Sequence, residues 1–368
     1  MKKNILVVAD AYGKPSFAPR LRFLCNYLVS RGYSLTVYTE KWEDLQFAHD
    51  YSIIECDLYR NHFDWIIKSA WSLLTDWKNR YFSMWLQMET ERKSYDLVFC
   101  TTFSTFPLRA AADVAKEKGI PLVVDIRDLD EQVSGAQYQC HREWWTKPLR
   151  NWYQKVNIQR RNAILKQADC ITTISPWHVD FIKQFNPNVH LIYNGYDPSM
   201  FYPQDIPAKH FLITYIGRLY EFQSLDLIKR AIRELKLPDC KLNLHLPNKR
   251  YIHFSEVGNE IRKSSIVLVL TGENTHGIMT TKFFEALGCE KPTLCIPSDQ
   301  GVLAQTIQET NAGLASGNID EIKQFILDKY NEWKQNGFTR QPVRHIEQFN
   351  RENQSKQFED LFRSCTGL

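Results

Sequence analysis

Apolar positions along this chain fall into two rhythms that alternate: short unbroken runs, and longer stretches with apolar residues every third or fourth place. The short runs lie at 4–9, 34–39, 96–101, 121–125, 170–175 and 190–194. Several lack polar interruption, as strands covered on both faces do. Between them the spacing predicts helices, among them 19–31, stopped by Gly32, and 107–118, stopped by Gly119. Glycine takes the left-handed turn at a helix end at little cost. The alternation predicts an α/β fold, a parallel sheet joined by crossover helices. Asn194-Gly195-Tyr196-Asp197-Pro198 then breaks the rhythm with turn chemistry, and Pro203 and Pro207 prolong the break. A second series follows at 211–216, 241–246, 266–270, 293–296 and 313–316. We therefore expect a boundary at about residue 205, giving domains 1–204 and 205–344, and a last helix within 345–368 that packs on either one.

Two stretches stand apart. Residues 42–88 carry Trp42, Phe63, Trp65, Trp71, Trp77, Tyr81, Phe82 and Trp85 in a largely helical pattern. Residues 141–166 carry Trp144, Trp145, Trp152 and Tyr153 among seven Lys and Arg, against the single acid Glu143. Indole rings with cations suit a helix lying on a membrane surface. They suit equally a buried aromatic row under a solvated basic face.

Composition narrows the class. At 43% hydrophobic and 24% charged the chain reads as soluble and globular, and 368 residues suffice for two cores. No apolar run reaches membrane-spanning length, and the opening MKKNILVVAD reads as a first strand, not a signal peptide. Nine cysteines, an odd number without a C-x-x-C pair, argue against a disulfide framework or a structural zinc and for a reducing cytoplasm. A net charge of +4 is too small to imply nucleic acid. No Gly-x-Gly-x-x-Gly follows the first strand, which disfavours a nicotinamide enzyme.

The most informative segment is Lys282-Phe283-Phe284-Glu285-Ala286-Leu287-Gly288-Cys289-Glu290-Lys291-Pro292, followed by the apolar 293–296. It reads as a short helix ended by glycine and proline, then a buried strand. Lys282 and Glu285 share a face near the helix N-terminus, where unpaired N–H groups and the helix dipole favour an anion. A cation for phosphate beside a carboxylate for sugar hydroxyls makes a grip for a nucleotide sugar. Lys and Glu three apart also make an ordinary solvated helix face.

Read in order, several motifs resemble the family-4-like retaining glycosyltransferases of the GT-B fold. They are strand 4–9 with Tyr12-Gly13, helix 20–31, Gly32 to Tyr38, Val124-Asp125-Ile126-Arg127-Asp128, Ala168 to Ser175, Ile192 to Asp197, Tyr215-Ile216-Gly217-Arg218-Leu219, and Lys282 to Pro292. The resemblance spans nearly the whole chain. It implies two Rossmann-like parallel-sheet domains facing across a cleft, the first presenting the acceptor and the second binding a UDP- or GDP-linked donor. It implies a hexosyltransferase that needs no metal and no further cofactor, acting in surface polysaccharide biosynthesis on a glycan or lipid-linked acceptor. The location implied is cytoplasmic, at the inner membrane face if 141–166 touches lipid. Arg218 and Lys282 would face the leaving diphosphate, with Gly217, Thr280 and Thr281 beside them. Glu285 would accept from both ribose hydroxyls, and Gly13 would let backbone approach a donor phosphate. Thr280 and Thr281 are equally simple helix caps.

On the acceptor side Asp128 and Arg127 are the catalytic candidates, Asp128 for a hydroxyl and Arg127 for an acceptor pyrophosphate. An internal Arg–Asp pair that shapes the loop is the other reading. In retaining enzymes of this type the leaving phosphate itself can take the acceptor proton, so no dedicated base is assigned. Two positions depart from the family pattern: Gln223 where a lysine is usual, and Gly277 where many members have glutamate. Sugar contacts then fall to other residues of 272–281, with Asn274 and His276 as candidates. The departures also leave open a catalytically silent scaffold. A sugar-nucleotide epimerase of the same fold is a third reading.

Overall fold

The computed structural model describes residues 3–10, 12, 19–41, 49–102, 105–129, 131, 147–220, 222–247, 252–272 and 277–367. Two compact units divide the chain: Met1–Ile192 with Ser355–Leu368, and Tyr193–Gln354. The break comes earlier than the expected 205. Tyr196 and Phe201, inside the turn-rich segment, are already buried in the core of the second unit.

The first unit runs β1 (Asn4–Ala9), α1 (Pro19–Ser30), β2 (Ser34–Glu40), β3 (Ser52–Cys56), α2 (His62–Thr75), α3 (Trp77–Thr90), β4 (Leu97–Thr102), α4 (Leu108–Lys118), β5 (Leu122–Ile126), α5 (Lys147–Leu165), β6 (Cys170–Thr173), α6 (Pro176–Ile182) and β7 (Val189–Leu191). Its strands form a seven-stranded sheet in the order β3-β2-β1-β4-β5-β6-β7. Each pairing is parallel, with Val7 opposite Val37 on one side and Phe99 on the other. The central strand β1 explains the unbroken apolar run. Leu6 and Val8 enter one core, and Ile5, Val7 and Ala9 enter the other. Successive side chains point to opposite faces, so a strand between two helix layers must be apolar at every position.

Within 42–88 the largely helical expectation holds for α2 and α3 but misses β3. That strand is a partly buried edge strand beside β2, with Ile53 opposite Val37. Its alternation is too short to outweigh the helical spacing that follows.

The second unit runs β8 (Phe211–Ile216), α7 (Asp226–Leu235), β9 (Cys240–His245), α8 (Phe254–Lys263), β10 (Ile266–Leu270), α9 (Thr281–Gly288), β11 (Thr293–Ile296), α10 (Val302–Glu309), β12 (Gly313–Ala315) and α11 (Ile319–Asn336). These strands make a five-stranded parallel sheet in the order β12-β11-β10-β8-β9. β10 repeats the two-faced logic, with Val267 and Val269 in one core and Ile266, Leu268 and Leu270 in the other. The last helix, α12 (Arg351–Cys365), begins in the second unit and ends in the first. There Phe358 and Phe362 lie 5.5 and 5.1 Å from the ring of Phe99.

Candidate functional site

The 282–292 segment sorts its residues cleanly by face. Phe283, Phe284, Ala286 and Leu287 are buried, and Phe284 stacks near Phe349 and Tyr193 at 5.2 and 6.1 Å. Lys282 and Glu285 sit on the partly exposed side. Gly288 lies flush against Tyr196: a Cβ there would stand 2.5 Å from the tyrosine ring. Lys291, by contrast, is buried and donates to the Thr339 carbonyl at 2.9 Å. Burial pushes its ammonium down to about 8. Lys291 therefore ties the end of this segment to the chain at Thr339 and takes no part in the grip.

Lys282 reaches from the first turn of α9 to the end of β8. Its chain covers Gly217, whose φ is +127° and whose added Cβ would meet Lys282 Cε at 2.7 Å. Only glycine suits that backbone and that approach. Lys282 Nζ also stands 5.2 Å from the centre of the Tyr215 ring. Burial lowers the Lys282 pKa, and Glu285 works against that fall. Thr280 occupies the N-cap position in extended backbone, but its hydroxyl makes no cap bond. Thr281 is exposed. The first amides of α9 thus lie beside a lysine, an arrangement that favours an anion.

Glu285 stands one turn further along the helix. Burial pushes its carboxyl up to about 7, while Arg351 and Lys282 pull it back down. Arg351 is only 2% exposed and donates from Nε to the Asn194 carbonyl at 3.2 Å. The sequence reading missed this arginine. It comes far later in the chain, in a helix with no motif of its own.

Arg218 follows Gly217, is exposed, and places its guanidinium carbon 5.5 Å from the Tyr220 ring centre. The loop that carries it is tied down by Gln223. The Gln223 amide donates to the Leu270 carbonyl at 2.7 Å, and its oxygen accepts from the Tyr220 N–H at 3.1 Å and the Tyr215 hydroxyl at 3.2 Å. The Tyr215 hydroxyl also donates to the Arg218 carbonyl at 2.6 Å. The glutamine thus supplies loop rigidity at the position of the family's lysine. Gly277 has φ +75°, where an ordinary side chain is strained, so backbone shape accounts for this departure. Asn274 and His276 lie outside the described residues, as does Gly13.

In the first unit the candidates separate. Arg127 is buried and pairs through Nη2 with Asp10 Oδ1 at 3.0 Å. Asp128 is exposed. Behind them Asp125, at the end of β5, accepts from Arg20 at 3.2 Å, Thr101 at 2.8 Å and Thr172 at 2.7 Å. Asp10, Arg20, Asp125 and Arg127 form a buried charge cluster at the carboxyl ends of β1 and β5, where parallel sheets place their sites. Asp10 and Arg20 lacked any local signal. Among the described residues, no three His, Cys, Asp or Glu side chains are grouped to hold a metal ion.

The basic segment 141–166 also divides. Arg161 is fully buried and forked onto Glu131 at 2.9 and 2.5 Å, and Arg160 pairs with Asp76 at 3.0 Å. Trp152 and Lys155 are exposed. Residues 141–146 lie outside the described residues.

Residues 20–200 match the model of Glycosyltransferase Family 4. No curated protein matches the chain. Among solved structures, sucrose-phosphate synthase from Thermosynechococcus elongatus superposes with a TM-score of 0.69 at 14% identity, covering 99% of each chain. HepE from Anabaena, solved with UDP and glucose, gives 0.64 at 13% identity over 98% of this chain and 100% of its own. A UDP-N-acetylglucosamine 2-epimerase gives 0.56 at 14% identity over 100% of this chain and 97% of its own. At such identities the likeness is one of fold, and this fold serves transferases and an epimerase alike.

Proposed function

We propose, for a chain whose residues 20–200 match the model of Glycosyltransferase Family 4 and which has the GT-B fold, that it transfers a hexosyl group from a nucleotide sugar with retention of configuration. The acceptor in this reading is a glycan or a lipid-linked saccharide of surface polysaccharide biosynthesis. The observation that carries the proposal is the placing of Lys282 over Gly217, with Glu285 one turn along the same helix.

In the reaction the bond from the anomeric carbon to the diphosphate breaks, and a bond to the acceptor oxygen forms on the same face. The acceptor proton passes to the leaving phosphate. Lys282, Arg218 and the first amides of α9 stabilise the charge that grows there, in the place a divalent cation would otherwise take. Glu285 orients the donor by accepting from both ribose hydroxyls. Asp128 receives an acceptor hydroxyl, and Arg127, held by Asp10, shapes that end of the unit.

The test is thermal stabilisation by UDP, GDP and their sugar conjugates, since a ligand of the folded state raises the melting temperature. One nucleotide should stabilise the wild type and fail with Glu285→Ala. Turnover of that nucleotide's sugar conjugate, unaffected by EDTA, completes the assignment. Stabilisation without turnover favours the silent scaffold, the reading that Gln223 keeps open by spending its side chain inside the loop. Conversion of the donor in water without an acceptor favours the epimerase.

A further inference from the structure

Helix α2 turns an apolar face outward, and α3, which buries Phe82 and Leu86 in the core, adds further exposed apolar residues beside it. On α2 Trp65 is 36% exposed and Phe63, Ile66, Ile67, Trp71 and Leu74 more so, while Ser72 is buried. Spacings of three and four put those five on one stripe. On α3 the exposed stripe is Tyr81, Met84 and Met88, while Asn79, Ser83 and Thr90 are buried with Phe82 and Leu86. Phe63 is 71% exposed and Met88 74%. A soluble surface helix has the opposite polarity to α2, and exposed apolar residues of this extent mark an interaction surface.

The corner between the helices supplies the second observation. Asp76 ends α2 and starts α3 in left-handed backbone at φ +59°. Its carboxylate accepts from Asn79 at 2.7 Å and meets Arg109 at 3.3 Å and Arg160 at 3.0 Å. These groups line a cavity of about 340 Å³ with Lys116, Asp113 and Gln167. Each guanidinium has five N–H donors, so both arginines keep donors beyond those given to Asp76. Arg80, on the next turn of α3, is exposed as well.

We propose that α2 and α3 form a membrane-docking ridge: their outward residues enter the headgroup boundary of an anionic bilayer, and Arg109, Lys116 and Arg160 meet lipid phosphates beside Asp76. Trp and Tyr with aliphatic side chains, next to cations, is the chemistry of that boundary. A lipid surface also needs no matching relief, which suits a stripe turned through a corner. A second copy of the ridge would instead bring the same cations toward one another. No helix among the described residues is long and apolar enough to cross a membrane, so the ridge lies on the bilayer. The proposal moves the main lipid contact from 141–166 to α2 and α3, with α5 packed against α2. It does not depend on donor binding or transfer.

The experiment is co-sedimentation of the full chain with phosphatidylcholine vesicles, with and without phosphatidylglycerol, for wild type and Ile67→Asp/Met84→Asp. Both positions are exposed, so the variant should keep its melting temperature and its nucleotide shift. Wild type should pellet with anionic vesicles, and the variant should lose about tenfold or more in partition. Brominated lipid should quench wild-type tryptophan emission, and Trp71→Phe should lose part of that quenching. Equal partition of the folded variant overturns the proposal. So does a wild type that ignores vesicles and self-associates through the ridge in sedimentation velocity.

Discussion

Glu285 is the residue at which burial and function pull apart. Burial holds its carboxyl at about 7, yet two ribose hydroxyls need an ionised acceptor. The folded pKa lies above the ordinary 4.5. The free protein therefore has this group's full stabilisation below about pH 4.5 and loses it as pH rises through about 7. Donor binding works the other way and releases a proton. Affinity should be about tenfold weaker at pH 6 than at pH 8, and the dependence should flatten in Glu285→Gln. Calorimetry in buffers of different ionisation enthalpy reads both. Gly217→Ala sets a side chain against Lys282 in a backbone that resists one. It should cost about 1–3 kcal/mol in denaturant unfolding and weaken nucleotide binding more than Thr281→Ala does. The motif residues Lys282 and Glu285 were legible because helix spacing puts them on one face. Arg351 and Asp10 were not, because burial beside a partner distant in sequence leaves no local pattern.

At the level of elements, the strands of continuous apolar sequence were the easiest to read. β1, β8, β10 and β11 lie where the apolar runs end and begin, because a strand between two helix layers has no polar face to blur it. β3 was not legible: it is a partly buried edge strand whose alternation is brief. α2 and α3 were legible as helices, but the outward turn of the apolar face of α2 was not. An amphipathic pattern states that two faces differ and leaves open which one meets the protein. For α12 the burial of Phe358 and Phe362 makes a direct prediction. Phe358→Ala should destabilise the first unit by about 3–5 kcal/mol in denaturant unfolding, while Lys356→Ala, at an exposed position, should change it little.

At the scale of the whole molecule the last helix decides how the chain is partitioned. It returns residues 355–368 to the first unit after the second has been completed. Truncation after Gln354 removes Phe358 and Phe362 from beside Phe99. Calorimetry should then show the melting of the first unit moved down and separated from that of the second, and nucleotide should raise only the second. A single unshifted transition would refute this account of the helix. The sequence by itself determined the α/β class and two parallel-sheet units, which follow from periodicity, and local spacing put Lys282 and Glu285 on one helix face. Tertiary structure alone decided that Tyr193 opens the second unit, that Arg351 stands by Glu285, and that Asp10 neutralises Arg127. It also decided that α2 presents its apolar side to solvent. Each of these depends on which distant segments meet, and contact between segments remote in sequence is a property of the packed chain.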